Sequence, residues 1–181
     1  MDTPPPASGE RDRVCVGCAL DLPVIEGPTH PYMLSSAACW ASYSRVLGRE
    51  YGEFGYPETH RLTVDAYAAQ HPGTDDPRAL RSVAGHLVAL HLTLERGMEA
   101  RVVTRAIGAF LERADGQVTR LEPPSFEGRM NIAQVERARD LAEHTRLVRA
   151  WGEDVWGAWS GHHERARAWA EMAMGGGGSG G

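Results

Sequence analysis

The stretch 77-PRALRSVAGHLVALHLTLER-96 decides the fold class. Leu80, Val83, Ala84, Leu87, Leu90 and Leu94 recur at steps of three and four, which puts them on one face of a helix with 3.6 residues per turn. Pro77 suits a first helical position, and Gly97 suits the residue just past a helix end.

The same period extends outward in both directions. Upstream, a helix is predicted over 31–51, with Ala37, Trp40, Ser44, Leu47 and Tyr51 on one face. A second is predicted from Pro57 to Gln70 or His71, where Pro72-Gly73 stops it. Downstream, 100–113 reads as a helix with Val103, Ala106, Ile107 and Phe110 inward. Another follows Asn131, an N-cap residue type, with Val135, Ala138, Leu141, Ala142, Thr145 and Val148 inward. A last helix carries Trp151, Val155, Trp159, Ala166 and Trp169, with a break expected among Gly152, Gly157 and Gly161. No segment alternates as a strand does. The expected fold is all-α: a compact bundle of five to six helices with an N-terminal Cys-containing loop that can form a zinc knuckle. Residues 1–13 read as a disordered lead, 14–174 as a single helical domain, and 175–181, GGSGG-like in composition, as a linker outside the fold.

Bulk properties exclude several function classes. The net charge of −5 argues against a general nucleic-acid binder, which needs an excess of cations against phosphate. No apolar run approaches the ~20 residues that span a bilayer. No secretory signal is evident, so a cytoplasmic location is expected. All basic residues are arginine, which removes lysine-dependent covalent catalysis and the P-loop lysine.

The chemistry-bearing residues fall in four groups. Cys15-Val16-Gly17-Cys18 is a CxxC turn that can supply two thiolates to zinc. His30 and Cys39 are the next soft ligands along the chain, which makes Cys15, Cys18, His30 and Cys39 the expected metal set. The segment 60-HRLTVDAYAAQHPG-73 concentrates His60, Asp65, Tyr67, Gln70 and His71 in one short helix, of which His71, Asp65 and Gln70 are the catalytic candidates. His91 and His162 sit where apolar stripes call for Leu or Val, so His71, His91, His162 and His163 form an alternative histidine site. Glu50 shares a helix face with Cys39, Tyr43 and Val46, and reads best as a solvated residue at a helix end; His144 reads as a surface residue.

The pieces CVGC, GPTHPYMLSSAACW, HRLTVDAYAAQHPG and the late WSGHH resemble a bacterial family of unknown function, DUF5946. The resemblance runs from Cys15 to about Trp169 and is most specific over 60–73. It implies a family and no activity, and it singles out Cys15, Cys18, His30, Asp65, Gln70 and His71. Two functions are expected in parallel. One is a zinc-binding bundle acting as a metal-dependent enzyme on a small molecule. The other is a non-enzymatic binding or regulatory module with a structural zinc knuckle.

Overall fold

The computed structural model describes residues 13–114 and 117–175. The expected lead and linker therefore lie outside the described residues, apart from Arg13 and Gly175. Among the described residues the protein is all-helical, with a single isolated bridge between Val14 and Asp21.

The helices are α1 (Ala37–Tyr51), α2 (His60–Gln70), α3 (Pro77–Leu90), α4 (Ala100–Arg113), the short α5 (Ile132–Glu136), α6 (Leu141–Ala158) and α7 (His163–Met174). α3 runs into a π-helical turn at His91–Glu95, and a 3₁₀ turn at Trp159–His162 joins α6 to α7. The expected helix over 100–113 is found with the same bounds. α1 starts later than Pro31, because the Ser36 side chain caps it by accepting from the Cys39 amide. Its buried stripe is Cys39, Ser42, Tyr43, Val46 and Glu50, rather than the face built on Ala37, Ser44 and Tyr51.

The C-terminal half divides differently from the expectation. Asn131 caps α5 in a reciprocal capping box with Gln134, but α5 ends at Glu136. Asp140 then caps a new helix by accepting from the Glu143 amide. One break thus falls at 137–140, where none was expected, and Leu141 is exposed; the break expected among the glycines falls at the 3₁₀ turn Trp159–His162, which contains Gly161. Gly152 and Gly157 lie inside α6. A Cβ at position 152 would come within 2.8 Å of the Leu62 side chain, so the glycine lets α6 close on α2.

Two connected cores result. The larger gathers Tyr43, Tyr67, Leu87, Leu90, Trp151 and Trp159 from α1, α2, α3, α6 and the 3₁₀ turn that follows it. The smaller joins α3 and its π-helical turn to α4 and α7 through Val88, Leu92, Phe110 and Trp169. α3 is buried on both sides through its second half, since it packs against α2 on one side and α4 and α7 on the other.

α1 and α2 lie antiparallel, as three cross-contacts show. Cys39 near the start of α1 meets His71 just past the end of α2, Tyr43 stacks on Tyr67 with ring centres 3.9 Å apart, and Glu50 meets His60.

Candidate metal centre

The N-terminal loop forms the first half of the site. The Cys15 amide donates to the Leu20 carbonyl and the Ala19 amide to the Cys15 carbonyl, both at 2.9 Å. These bonds curl 15–20 into a tight turn that points both cysteine sulfurs inward. Ala19 takes the left-handed conformation, at φ 57°, to close it. Gly17 sits at the tip of the turn, against α2. A Cβ there would lie 2.4 Å from His71 Cδ2, 2.6 Å from the Leu34 carbonyl oxygen and 2.9 Å from that of Gln70. Only glycine lets the knuckle approach so closely.

Helices supply the other half. Cys39 is held in the first turn of α1 and His71 follows the last residue of α2. His71 Nδ1 donates to the Tyr67 carbonyl at 2.7 Å, so Nε2 turns its lone pair towards the sulfurs. Nε2 lies 3.4 Å from Cys39 Sγ, and Cys39 Sγ lies 3.7 Å from Cys18 Sγ. The Tyr67 hydroxyl donates to Cys39 Sγ at 3.6 Å, and its ring stacks on His71 at 4.0 Å.

Three sulfurs and one imidazole nitrogen thus lie within 4.8 Å of one another, all four residues buried. The cysteines are free thiols. Ligand atoms on a tetrahedral zinc, at ~2.3 Å for sulfur and ~2.0 Å for nitrogen, stand about 3.5–3.8 Å apart. The 3.4 and 3.7 Å separations fit that spacing, and the donor set is a known type for zinc.

The thiols are electrostatically unequal. The Cys15 thiol is held far below the ordinary thiol range by hydrogen bonds from Cys18 and Cys39, against the opposing effect of burial. Cys18 is pushed up to about 12, first by its bond to Cys15. Cys39 is pushed up further, by Cys15 and then Cys18.

The remaining expected residues go elsewhere. His30, expected as a ligand, lies outside the cluster: it packs edge-on against Tyr32 and tilted against Trp40, at 4.3 and 5.3 Å. The fourth member of the cluster is His71, which the turn ending α2 brings back to the knuckle. Gln70 is wholly buried and fully engaged: Nε2 donates to the Met130 carbonyl and Oε1 accepts from Trp151 Nε1. Asp65 is also buried but faces Arg61 and His86. His71, Asp65 and Gln70 therefore do not form one group.

Nor do the inward histidines gather around His71. His91 Nδ1 donates to Glu95 at 2.8 Å. His163 stacks on Trp156 at 3.8 Å and donates to the Trp156 carbonyl. His162 donates to the Glu122 carbonyl. Each imidazole finds its own partner, which is the other way to offset burial.

Two residues read as surface are in the interior. Glu50 is fully buried; Oε1 accepts from Thr63 at 2.6 Å and from His144 Nε2 at 2.7 Å, and Oε2 accepts from His60 Nδ1 at 2.7 Å. His144 is 1% exposed. The signal available in the sequence was the register of Glu50 with Cys39, Tyr43 and Val46, which are all buried.

The family described as a family of unknown function (DUF5946) matches residues 13–160. The chain belongs to DUF5946. Comparison with curated proteins and with solved structures gave no match. In this DUF5946 chain the matched span includes all four members of the cysteine–histidine cluster and ends within the turn that follows α6.

Proposed function

We propose that Cys15, Cys18, Cys39 and His71 hold one structural zinc, and that the bundle it locks is a cytoplasmic binding module for a small molecule. The observation that carries the metal reading is the convergence of four soft donors, from three separate chain segments, within 4.8 Å in a buried pocket. A zinc there would tie the knuckle, the start of α1 and the end of α2 together. Catalytic zinc sites keep one position for water or substrate, whereas here four protein groups supply a full tetrahedron away from solvent. This supports the structural role over a metal-dependent enzyme. Free, buried thiols suit a reducing compartment, which supports the cytoplasm. No helix among the described residues is long and apolar enough to cross a membrane.

The test is elemental analysis of protein purified under reducing conditions. One zinc per chain is expected, lost in Cys15→Ser and in His71→Ala. Protein without metal, or zinc content indifferent to Cys15→Ser, would overturn the assignment.

A further inference from the structure

Asp65 is a fully buried carboxylate on α2, and its use is not explained by the metal centre. Its Oδ1 accepts from His86 Nδ1 and from Arg61 Nη2, each at 2.7 Å, and its Oδ2 accepts from Arg61 Nε at 2.8 Å. Three charge-assisted bonds leave the carboxylate no further demand. The two side chains they fix are only partly buried, at 24% and 17% side-chain exposure for Arg61 and His86.

Those two side chains line a cleft of about 430 Å³ between α2, α3 and α4. Arg78, Arg81 and Ser82 of α3 complete its polar wall. Positions 78, 81, 82 and 85 share one helical face, so the wall is a direct product of the 3.6-residue period. Arg81 is anchored by donating to the Leu111 carbonyl at 2.7 Å. Among the described residues the cleft has no acidic lining. Ile107, Leu111 and Tyr32 provide an apolar and aromatic side.

The Asp65 bond also sets the orientation of His86. With Nδ1–H committed inward, Nε2 is the ring atom left for the cleft, and among the described residues no group bonds it. A buried carboxylate thus orients one guanidinium and one imidazole beside the guanidinium of Arg78, around a volume suited to a small ligand. Arginine N–H groups match tetrahedral oxyanions geometrically, and the Nε2 lone pair can accept from the hydroxyl of a singly protonated phosphate.

We infer that the cleft binds the phosphate group of a phosphorylated small molecule, with Arg61, Arg78 and His86 contacting its oxygens and the organic part lying on Tyr32, Ile107 and Leu111. The inference goes beyond the zinc reading and does not depend on it, since none of these residues belongs to the cysteine–histidine cluster.

The test is titration of the full, metal-loaded chain with inorganic phosphate and with phenyl phosphate, followed by calorimetry and by the histidine side-chain nitrogen signals. Both should bind saturably, phenyl phosphate the more tightly, and the His86 signal should move. Arg78→Gln, at an exposed position that folding tolerates, should weaken both about tenfold. Arg149→Gln, which lines a different groove, should leave both unchanged. Absence of saturable binding, an unmoved His86 signal, equal affinity in Arg78→Gln, or benzoate binding as tightly as phenyl phosphate would each overturn the inference.

Discussion

At one end of the antiparallel pair α1–α2, Cys39 faces His71; at the other, Glu50 faces His60. Both ends bury polar side chains completely, yet their chemistry is opposite. The carboxylate of Glu50 is all acceptor, and it meets three donors, from His60, Thr63 and His144. Every strong valence is used, and the group is complete as protein alone. At the cysteine end, three sulfurs and the Nε2 lone pair face one another, with weak S–H groups, the Tyr67 hydroxyl and the Leu20 amide as the donors among the described residues. Histidine and acid in proximity are therefore poor evidence for a metal, because a satisfied hydrogen-bond network looks the same in composition. A surplus of acceptors over strong donors is the better evidence.

The largest effect that can break this comparison is metal removal. Chelation, or Cys39→Ser, should lower Tm by more than about 15 °C, because a structural zinc contributes folding energy directly. Calorimetry with and without chelator measures this. A protein equally stable after verified metal removal would make the two ends equivalent and sink the contrast.

Next in size is Glu50→Ala. It strands three buried donors and should cost about 3–5 kcal/mol, on the order of 10 °C in Tm, while zinc content stays unchanged. Loss of zinc in this variant would mean that the two centres are not independent.

A smaller, sharper effect is in the pH dependence. Burial pushes the Glu50 carboxyl up, but hydrogen bonds from His144, Thr63 and His60 outweigh it and leave the group below its ordinary value. A folded-state pKa below the unfolded one gives stability that is present above the unfolded value, about 4.3, and is lost as pH falls through the folded value. Glu50→Gln should therefore flatten the acid limb of a Tm–pH curve below about pH 4.3. Parallel acid limbs for the two proteins would show that Glu50 is not the titrating group.

The smallest effect separates two histidines of similar rank in the sequence. His30→Ala should keep its zinc and lose no more than about 1 kcal/mol, while His71→Ala loses the metal. The reverse pattern would restore His30 to the site.

Most of the helical architecture was legible because apolar stripes repeat along the chain, as between Leu80 and Leu94. The knuckle was legible because CxxC is local. His71 was harder to place as the fourth member, since His30 is nearer in sequence and nothing local states that the end of α2 folds back onto residue 17. The close packing of Gly17 on His71 exists only in three dimensions. Glu50 and His144 were misread for a related reason. Each is polar and, taken alone, suits a surface; only their meeting across α1 and α6 makes burial affordable. Asp65 was picked out as chemically unusual, but its partner His86 lies on another helix and off that helix's apolar stripe.

The order in which the chain is made gives the cysteine–histidine cluster one more consequence. Its contacts join residues 21 and 32 positions apart, and all four members precede α3. A ribosome adds roughly 5–20 residues per second, so His71 emerges seconds before Trp151 and Trp159, whose indoles bond to Gln70 and Ala69 beside it. A metal captured in that interval would pin the knuckle, α1 and α2 into a nascent template. The later helices would then dock on a surface already shaped for them.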